Sequence, residues 1–332
     1  VLNIGRQSIK NQKNKTKVEL MTNIHDIARL SGYSVSTVSR VINHQKYVAD
    51  DKRKKIEALI KELDYVPNRL ARDLSKGQTK TIGIVLPYAN HPYFARIVDG
   101  IVSAVFAKGY KVTLLPTNYD MTVERHYLEQ LKSKAYDALI FTSRSNSLEA
   151  LERYQKYGRI VCCEDPGTSS HLAAAYTDRL ASYISALMWA KQQGCQNVGV
   201  VISRDNLISA SSRVTRMAYQ ETYGKLPAAN LFTGAVTFED GYRAGRYFAK
   251  LKPSVDAILA NGDDIGAGIQ DYYRVHQLTP VKIIGQENLL SSRLMQFSTI
   301  DHHLEALGKA AFELSISHGQ KHQLIKSEFI ER

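Results

Sequence analysis

The sequence predicts an α/β protein with a separate N-terminal unit: a small helix-turn-helix domain, then a core of doubly wound parallel sheets in two halves. Three observations lead there. Apolar residues recur at helical spacing from Asn23 to Leu63. Beyond residue 80, short and nearly continuous apolar runs alternate with helical stretches, the pattern of strands buried on both faces of a parallel sheet. The charge is also divided. Residues 1–80 hold 17 Lys+Arg against 8 Asp+Glu and residues 81–332 hold 27 against 24, so +9 of the net +12 sits in the first quarter of the chain. A basic block joined to a near-neutral body points to a module that binds a polyanion.

Taken in order, residues 1–21 read as a basic N-terminal extension. Within 22–66, Ile24, Ile27 and Ala28 mark a first helix, and Val38, Val41 and Ile42 a second. Ile56, Leu59, Ile60 and Leu63 mark a third at i, i+3, i+4, i+7. Gly32, between Ser31 and Tyr33, permits the tight turn between the first two. Asp50 and Asp51 sit where the positive end of the third helix favours them. At about 100° per residue, Ser36 and Arg40 face away from Val38 and Ile42, leaving a hydroxyl and a guanidinium for base edges. Arg40 suits the O6 and N7 of a guanine, and Val35 a thymine methyl. Pro67 stops the third helix and Asn68 can cap another. Residues 67–78 then form a hinge helix with a stripe of Leu70, Ala71 and Leu74, closed by Gly77. A helix of about two turns is marginal alone. It is expected to order when two copies pack in a widened minor groove with Leu74 wedged into a base step.

In the core, the runs 82–86, 111–115, 138–142, 160–163, 198–202, 257–260 and 282–285 read as strands, separated by helices such as 94–108 and 180–193. The segments from Thr81 and from Asn197 look like the opening strands of two similar halves, which would enclose a small-molecule cleft at the strands' carboxyl ends. Other classes fit poorly. No window holds the ~18 uncharged apolar residues a membrane span needs, and residues 1–20 carry no apolar stretch of a secretory signal. A cytoplasmic location is expected. Cys162, Cys163 and Cys195 match no disulfide framework or zinc spacing. Gly266-Ala-Gly268 is an incomplete dinucleotide loop, His91, His171, His302 and His303 form no metal spacing, and no Gly-x-Ser-x-Gly elbow exists. No metal, cofactor or catalytic residue is expected, so neither an enzyme nor a free solute-binding protein is favoured.

The residues Ile24-His-Asp-Ile-Ala-Arg-Leu-Ser-Gly32, Val35-Ser-Thr-Val-Ser-Arg-Val-Ile-Asn43 and Tyr65-Val-Pro-Asn-Arg-Leu-Ala71 together resemble the signature of the LacI/GalR transcription regulators. The resemblance continues through Thr79-Lys-Thr-Ile-Gly-Ile-Val-Leu-Pro87, Pro92-Tyr-Phe94 and Asn261-Gly-Asp-Asp264, covering roughly residues 22–332. It implies a cytoplasmic repressor of carbohydrate or catabolite-responsive genes that binds a pseudo-palindromic double-stranded operator as a homodimer. Val35, Ser36 and Arg40 would read bases, and Leu74 would intercalate beside Asn68, Arg69 and Ala71. Tyr33, Ser34, Thr37, Ser39, Asn43 and Asn68 would contact phosphates or cap helices. The resemblance also implies a periplasmic-binding-protein-like core at 79–332, with subdomains of about 79–179 plus 302–332 and of 180–301, joined by three crossings. Family members usually begin near Met21, so residues 1–20 are either an added tail or the product of an upstream start.

The effector cleft departs from the family. The arginine that grips a sugar in other members is replaced by Thr215, flanked by Arg213 and Arg216. Asp263 matches the family's acidic effector ligand, and Tyr93 and Phe94 match its wall, while His91 beside the cleft is either a ligand contact or a surface or capping residue. The effector is expected to be a sugar or phosphosugar, or else serine-phosphorylated HPr, the phosphocarrier protein that acts as co-regulator in one branch. Against the phosphoprotein, Glu305 and Glu313 stand where a tyrosine and an arginine would meet it, although Arg96 is a further candidate contact.

Overall fold

The computed structural model describes residues 23–66, 78–204, 209–317, 319 and 321–332. The N-terminal extension and the hinge helix, with Asn68, Arg69, Ala71 and Leu74, lie outside the described residues.

The first unit is three helices around a small core: α1 (Ile24–Ser31), α2 (Val35–Ile42) and α3 (Asp50–Glu62). Asn23 and Asp26 form a capping box that starts α1, and Gly32 at φ 76° ends it. Ser34 then caps α2 within two residues of that turn, which sets the angle between the helices. Ile27, Ala28, Val38, Val41 and Ile56 are buried together, with Ile42, Leu59, Ile60 and Leu63 packed around them. These are the residues that helical spacing selects. Each fully buried aliphatic side chain contributes roughly 2 kcal/mol. Asp50 and Asp51 lie in the first turn of α3, which carries no side-chain cap.

The second unit holds two six-stranded sheets. In chain order its elements begin with β1 (Thr81–Leu86), α4 (Pro92–Lys108), β2 (Lys111–Pro116), α5 (Met121–Lys132), β3 (Ala138–Phe141), α6 (Leu148–Glu152), β4 (Arg159–Cys162) and β5 (Ala173–Thr177). The chain then crosses into α7 (Arg179–Gln192), β6 (Val198–Ile202), α8 (Ala210–Tyr223), β7 (Leu231–Thr233), α9 (Phe238–Phe248), β8 (Ala257–Leu259), α10 (Asp263–Val275), β9 (Lys282–Gln286), α11 (Leu290–Met295) and β10 (Ser298–Asp301). It returns for α12 (Leu304–Ile316) and β11 (His322–Ile325), and crosses a third time into β12 (Glu328–Ile330). The strand orders are β11-β5-β4-β3-β1-β2 and β12-β10-β9-β8-β6-β7. All pairings are parallel except β10 with β12, which pair antiparallel through Ile300 and Phe329.

Three expectations change. The last strand joins the second sheet, so residues 328–332 belong with that subdomain and not with 302–325. Strand β2 is an exposed edge with only Leu115 buried, not a strand covered on both faces. Strands β5, β7, β10, β11 and β12 were not legible: β5 is alanine-rich, β7 and β12 have three residues each, β10 has one apolar residue in four and β11 is half polar.

Each subdomain carries a pair of helices whose backbones nearly touch. A Cβ added at Gly308 of α12 would lie 2.1 Å from the Ile97 carbonyl of α4, and one at Gly268 of α10 would lie 2.1 Å from the Phe238 carbonyl of α9. Gly268 therefore serves helix packing, which accounts for the incomplete glycine loop noted in the sequence.

Candidate functional site

In the helical unit, burying Val38 and Val41 fixes which side of α2 faces out. Ser36 and Arg40 are exposed on that side, while Val35, Thr37 and Ser39 are half-buried along its edges. The Ser34 hydroxyl accepts the Thr37 N–H at 3.3 Å and shares hydrogen bonds of 2.9 Å with the Ser36 and Thr37 hydroxyls. At the other end, the Asn43 amide donates to the Ser39 carbonyl at 2.8 Å. Ser34 and Asn43 are thus caps that hold the ends of α2, one of the two roles expected for them. Tyr33 packs on the core beneath the ammonium groups of Lys52 and Lys55, 5.8 and 5.4 Å from its ring. Beside α2 stands a second cationic surface suited to a phosphate backbone.

In the second unit, a cleft lies where both sheets end. It is lined from loops and helix starts that follow the strands: Tyr88, His91, Tyr93 and Phe94 after β1, Tyr119 after β2, Ser143 after β3, Glu164 after β4 and Arg179 after β5. From the other subdomain come Arg204 after β6, Ser211 and Thr215 of α8, Val236 after β7, Asn261 after β8, and Gln286 and Glu287 at the end of β9.

Three arginines tie the cleft across its two walls. At the crossings, Arg179 donates to the Tyr93 hydroxyl at 2.5 Å and the Tyr183 hydroxyl at 3.3 Å. Tyr183 in turn donates to Gln286 Oε1 at 2.6 Å, an atom that also meets His302 Nε2 at 3.2 Å. From the second subdomain, the Arg204 guanidinium stacks 3.6 Å from the Tyr119 ring centroid and donates to the Arg144 carbonyl at 3.2 Å and the Ser143 hydroxyl at 3.3 Å. From the first, Arg96 donates to the Glu287 carbonyl at 3.2 Å. Glu287 sits at φ 96°, a costly backbone conformation for a side chain of its size. Burial, with Asp263 and Asp264 nearby, pushes its carboxyl well above the usual range. Arg144 forms an ion pair with Glu164. Burial lowers the His91 pKa, against a nearby Asp264 and a hydrogen bond to the Val236 backbone.

The expected effector residues divide. His91, Tyr93, Phe94 and Thr215 line the cleft. The Thr215 hydroxyl, however, turns back onto the Ser211 carbonyl at 2.9 Å. Asp263 does not line the cleft. As the first residue of α10 it is fully buried, accepting the Leu289 N–H and the Thr299 hydroxyl at 2.6 Å each, and burial raises its pKa to about 6. Its oxygens are occupied in binding α10 to β10, so it corrects the expectation of a ligand. Arg213 is also absent from the lining, though its charge acts on Glu164. The sequence reading missed Tyr119, Arg179, Arg204, Asn261 and Glu287. All five lie within a few residues of a strand's carboxyl end, the one signal that would have found them.

Residues 79–322 match the family described as periplasmic binding proteins and sugar binding domain of LacI family, and residues 23–68 match the bacterial regulatory proteins, lacI family. Catabolite control protein B of Bacillus subtilis (strain 168) is 42% identical over 294 residues, covering 89% of this chain and 94% of that protein. The NTD biosynthesis operon regulator NtdR of the same organism is 30% identical, covering 88% and 91%. Among solved structures, the Lac repressor dimer bound to operator and the anti-inducer ONPF superposes with a TM-score of 0.77 at 20% identity, covering 94% of this chain and 98% of that one. The complex of the transcriptional regulator CelR with cellobiose gives 0.65 at 19% identity, covering 94% and 99%.

Proposed function

The chain belongs to the LacI family of bacterial transcription regulators, and on that premise we propose that it represses carbohydrate or catabolite-responsive genes as a dimer on a pseudo-palindromic operator. The observation that carries the reading is the outer side of α2. Arg40 and Ser36 are exposed there, on a helix capped at both ends and locked by Val38 and Val41. Rigid presentation of a guanidinium is what bidentate reading of a guanine requires. Lysines of the same unit would neutralise phosphates without reading sequence. Two chains per operator are supported by large apolar side chains left exposed on the second unit, among them Phe106 at 79%, Leu290 at 66% and Leu294 at 73%.

The cleft supports a small molecule as the effector. Asn261 keeps a buried oxygen without a hydrogen-bond partner, beside aromatic walls suited to a sugar ring. A phosphoserine partner on α12 is disfavoured, because Glu305 and Glu313 are both exposed there and would repel it.

Arg40→Ala tests the reading directly. It is expected to weaken binding to the operator by about 1–3 kcal/mol, roughly five- to 150-fold, while binding to unrelated duplex falls far less. Equal losses on both DNAs in a fluorescence-anisotropy titration would make Arg40 a phosphate contact.

A further inference from the structure

The cleft occupies the carboxyl ends of both sheets, and the opposite, amino ends of the two halves differ in charge. Their strands correspond one to one, β4-β3-β1-β2 in the first sheet and β9-β8-β6-β7 in the second. A shared brace fixes the match: Asp137 ahead of β3 accepts the Lys80 N–H at 2.8 Å, as Asp256 ahead of β8 accepts the Asn197 N–H at 2.8 Å. Each half also has a lysine before that brace, Lys134 and Lys252, and a cation opening the next strand, Arg159 and Lys282. There the likeness stops. Lys80 precedes β1 where Asn197 precedes β6, and Lys111 opens β2 where Leu231 opens β7. Lys156 lies in the loop before β4, and its counterpart, residues 276–281, holds no lysine. The same architecture thus forms in the second half without these three cations.

Their surroundings keep them cationic and exposed. The ammonium groups of Lys132 and Lys156 stand 5.7 and 5.1 Å from the Tyr157 ring centroid, and that of Lys134 donates to the Tyr157 carbonyl. The neighbouring acids are already engaged: Asp137 by the Thr79 and Lys80 backbone, Glu129 by Lys132 at 3.3 Å and by the Tyr154 hydroxyl. Lys80, Lys111, Lys134 and Lys156 are exposed, and no described carboxylate lies within ion-pair distance of them. Adjacent strands are about 4.8 Å apart, so the row from β2 to β4 is about 15 Å long. A duplex carries one negative charge per about 1.7 Å of axis, so a row of that length meets several phosphates. The chain enters this same end at Gln78, twelve residues after Val66 of the first unit. Twelve residues reach at most roughly 40 Å, which keeps a duplex held by α2 within range. We infer that the amino end of the first sheet is a second phosphate-binding surface, which holds duplex DNA on the flanks of the site that α2 reads. The inference rests on α2 placing the chain on DNA, and these lysines add affinity without adding sequence information.

The test is fluorescence anisotropy of the full chain on a labelled catabolite-responsive palindrome, from about 50 to 200 mM salt. Two duplexes are compared, one of about 20 base pairs that ends with the half-sites and one about a helical turn longer on each side. A scrambled duplex of the longer length is titrated alongside. The unsubstituted chain is expected to bind the longer palindrome more tightly and with a steeper salt slope. In Lys111→Gln/Lys134→Gln/Lys156→Gln, affinity for the longer duplex is expected to fall at least about fivefold, while the shorter is bound as before. The salt slope should flatten by about one for each lysine that meets a phosphate. The charge-matched Lys225→Gln/Lys250→Gln/Lys252→Gln removes three exposed cations from the second half and is expected to change neither. Should the first triple variant unfold, the two slopes of the unsubstituted chain decide. Equal slopes on the two lengths, binding indifferent to the first triple variant, or equal losses in both triple variants overturns the inference. A loss shared by both lengths also overturns it, because the lysines would then lie over the site itself. Palindrome and scrambled duplex bound alike, with the first triple variant weaker on the longer duplexes alone, would reject the operator reading and keep this surface.

Discussion

His302 is a fully buried imidazole at the second crossing, with Nε2 near Gln286 and no hydrogen-bond partner for Nδ1. Burial, Arg179 and His303 hold its pKa well below the ordinary 6.5. The unfolded chain therefore binds a proton there before the folded one does. This contribution to stability is fully present above about pH 6.5 and is lost as the pH falls toward the folded-state pKa. Asp263, raised to about 6, acts in the opposite sense, its contribution growing on acidification through that value. The two are separable by substitution. His302→Gln is expected to flatten the fall in thermal midpoint between about pH 7 and pH 5 relative to the unsubstituted protein. Parallel curves for the two proteins would show that His302 does not titrate in that window. Asp263 also illustrates the reach of motif matching. The sequence placed an acid at the start of the right helix, but which way that carboxylate turns depends on Thr299 and Leu289, distant in the chain.

Helices α4 and α12 in one subdomain and α9 and α10 in the other approach closely enough that a glycine faces the opposing carbonyl. Gly308→Ala is expected to cost about 1–3 kcal/mol, since the neighbour is the Ile97 backbone and cannot turn aside as a side chain would. A denaturant midpoint unchanged from that of the unsubstituted chain would mean that the pair separates freely. Elements with strong periodicity were legible: α1, α2 and α3 bury the apolar residues that marked them, and strands β1 and β6 appear within a residue of their expected bounds. Strands without a run of β-branched or large apolar residues were not. Ala173–Thr177 and Glu328–Ile330 carry no β-branched run, and their place in a sheet is set by partners far along the chain. The cleft was legible in outline for a related reason. Its position follows from parallel strand topology, whereas Arg179 and Arg204 are recognisable only once three crossings bring both sheets' ends together.

Over the whole molecule the charge and the chemistry are divided between the two units. Residues 1–80 carry +9 of the net +12, so DNA affinity is expected to rest on them and to fall steeply with salt. The second unit, nearly neutral overall, places three of its arginines between the two subdomains, where Arg96, Arg179 and Arg204 each reach a group contributed by the opposite wall or the crossings. Under the proposed function, a ligand competing for those contacts is expected to change how the two subdomains sit against each other, and so to alter DNA binding. The measurement that bears most directly on this account is a titration of the full chain against a labelled catabolite-responsive palindrome and a scrambled duplex of equal length. It is run from about 50 to 200 mM salt, with and without serine-phosphorylated HPr. The account predicts a preference for the palindrome of about a thousandfold or more that persists while both affinities fall with salt, and no response to the phosphoprotein. Equal affinity for the two duplexes at every salt concentration, or a preference that appears only with the phosphoprotein, would contradict it.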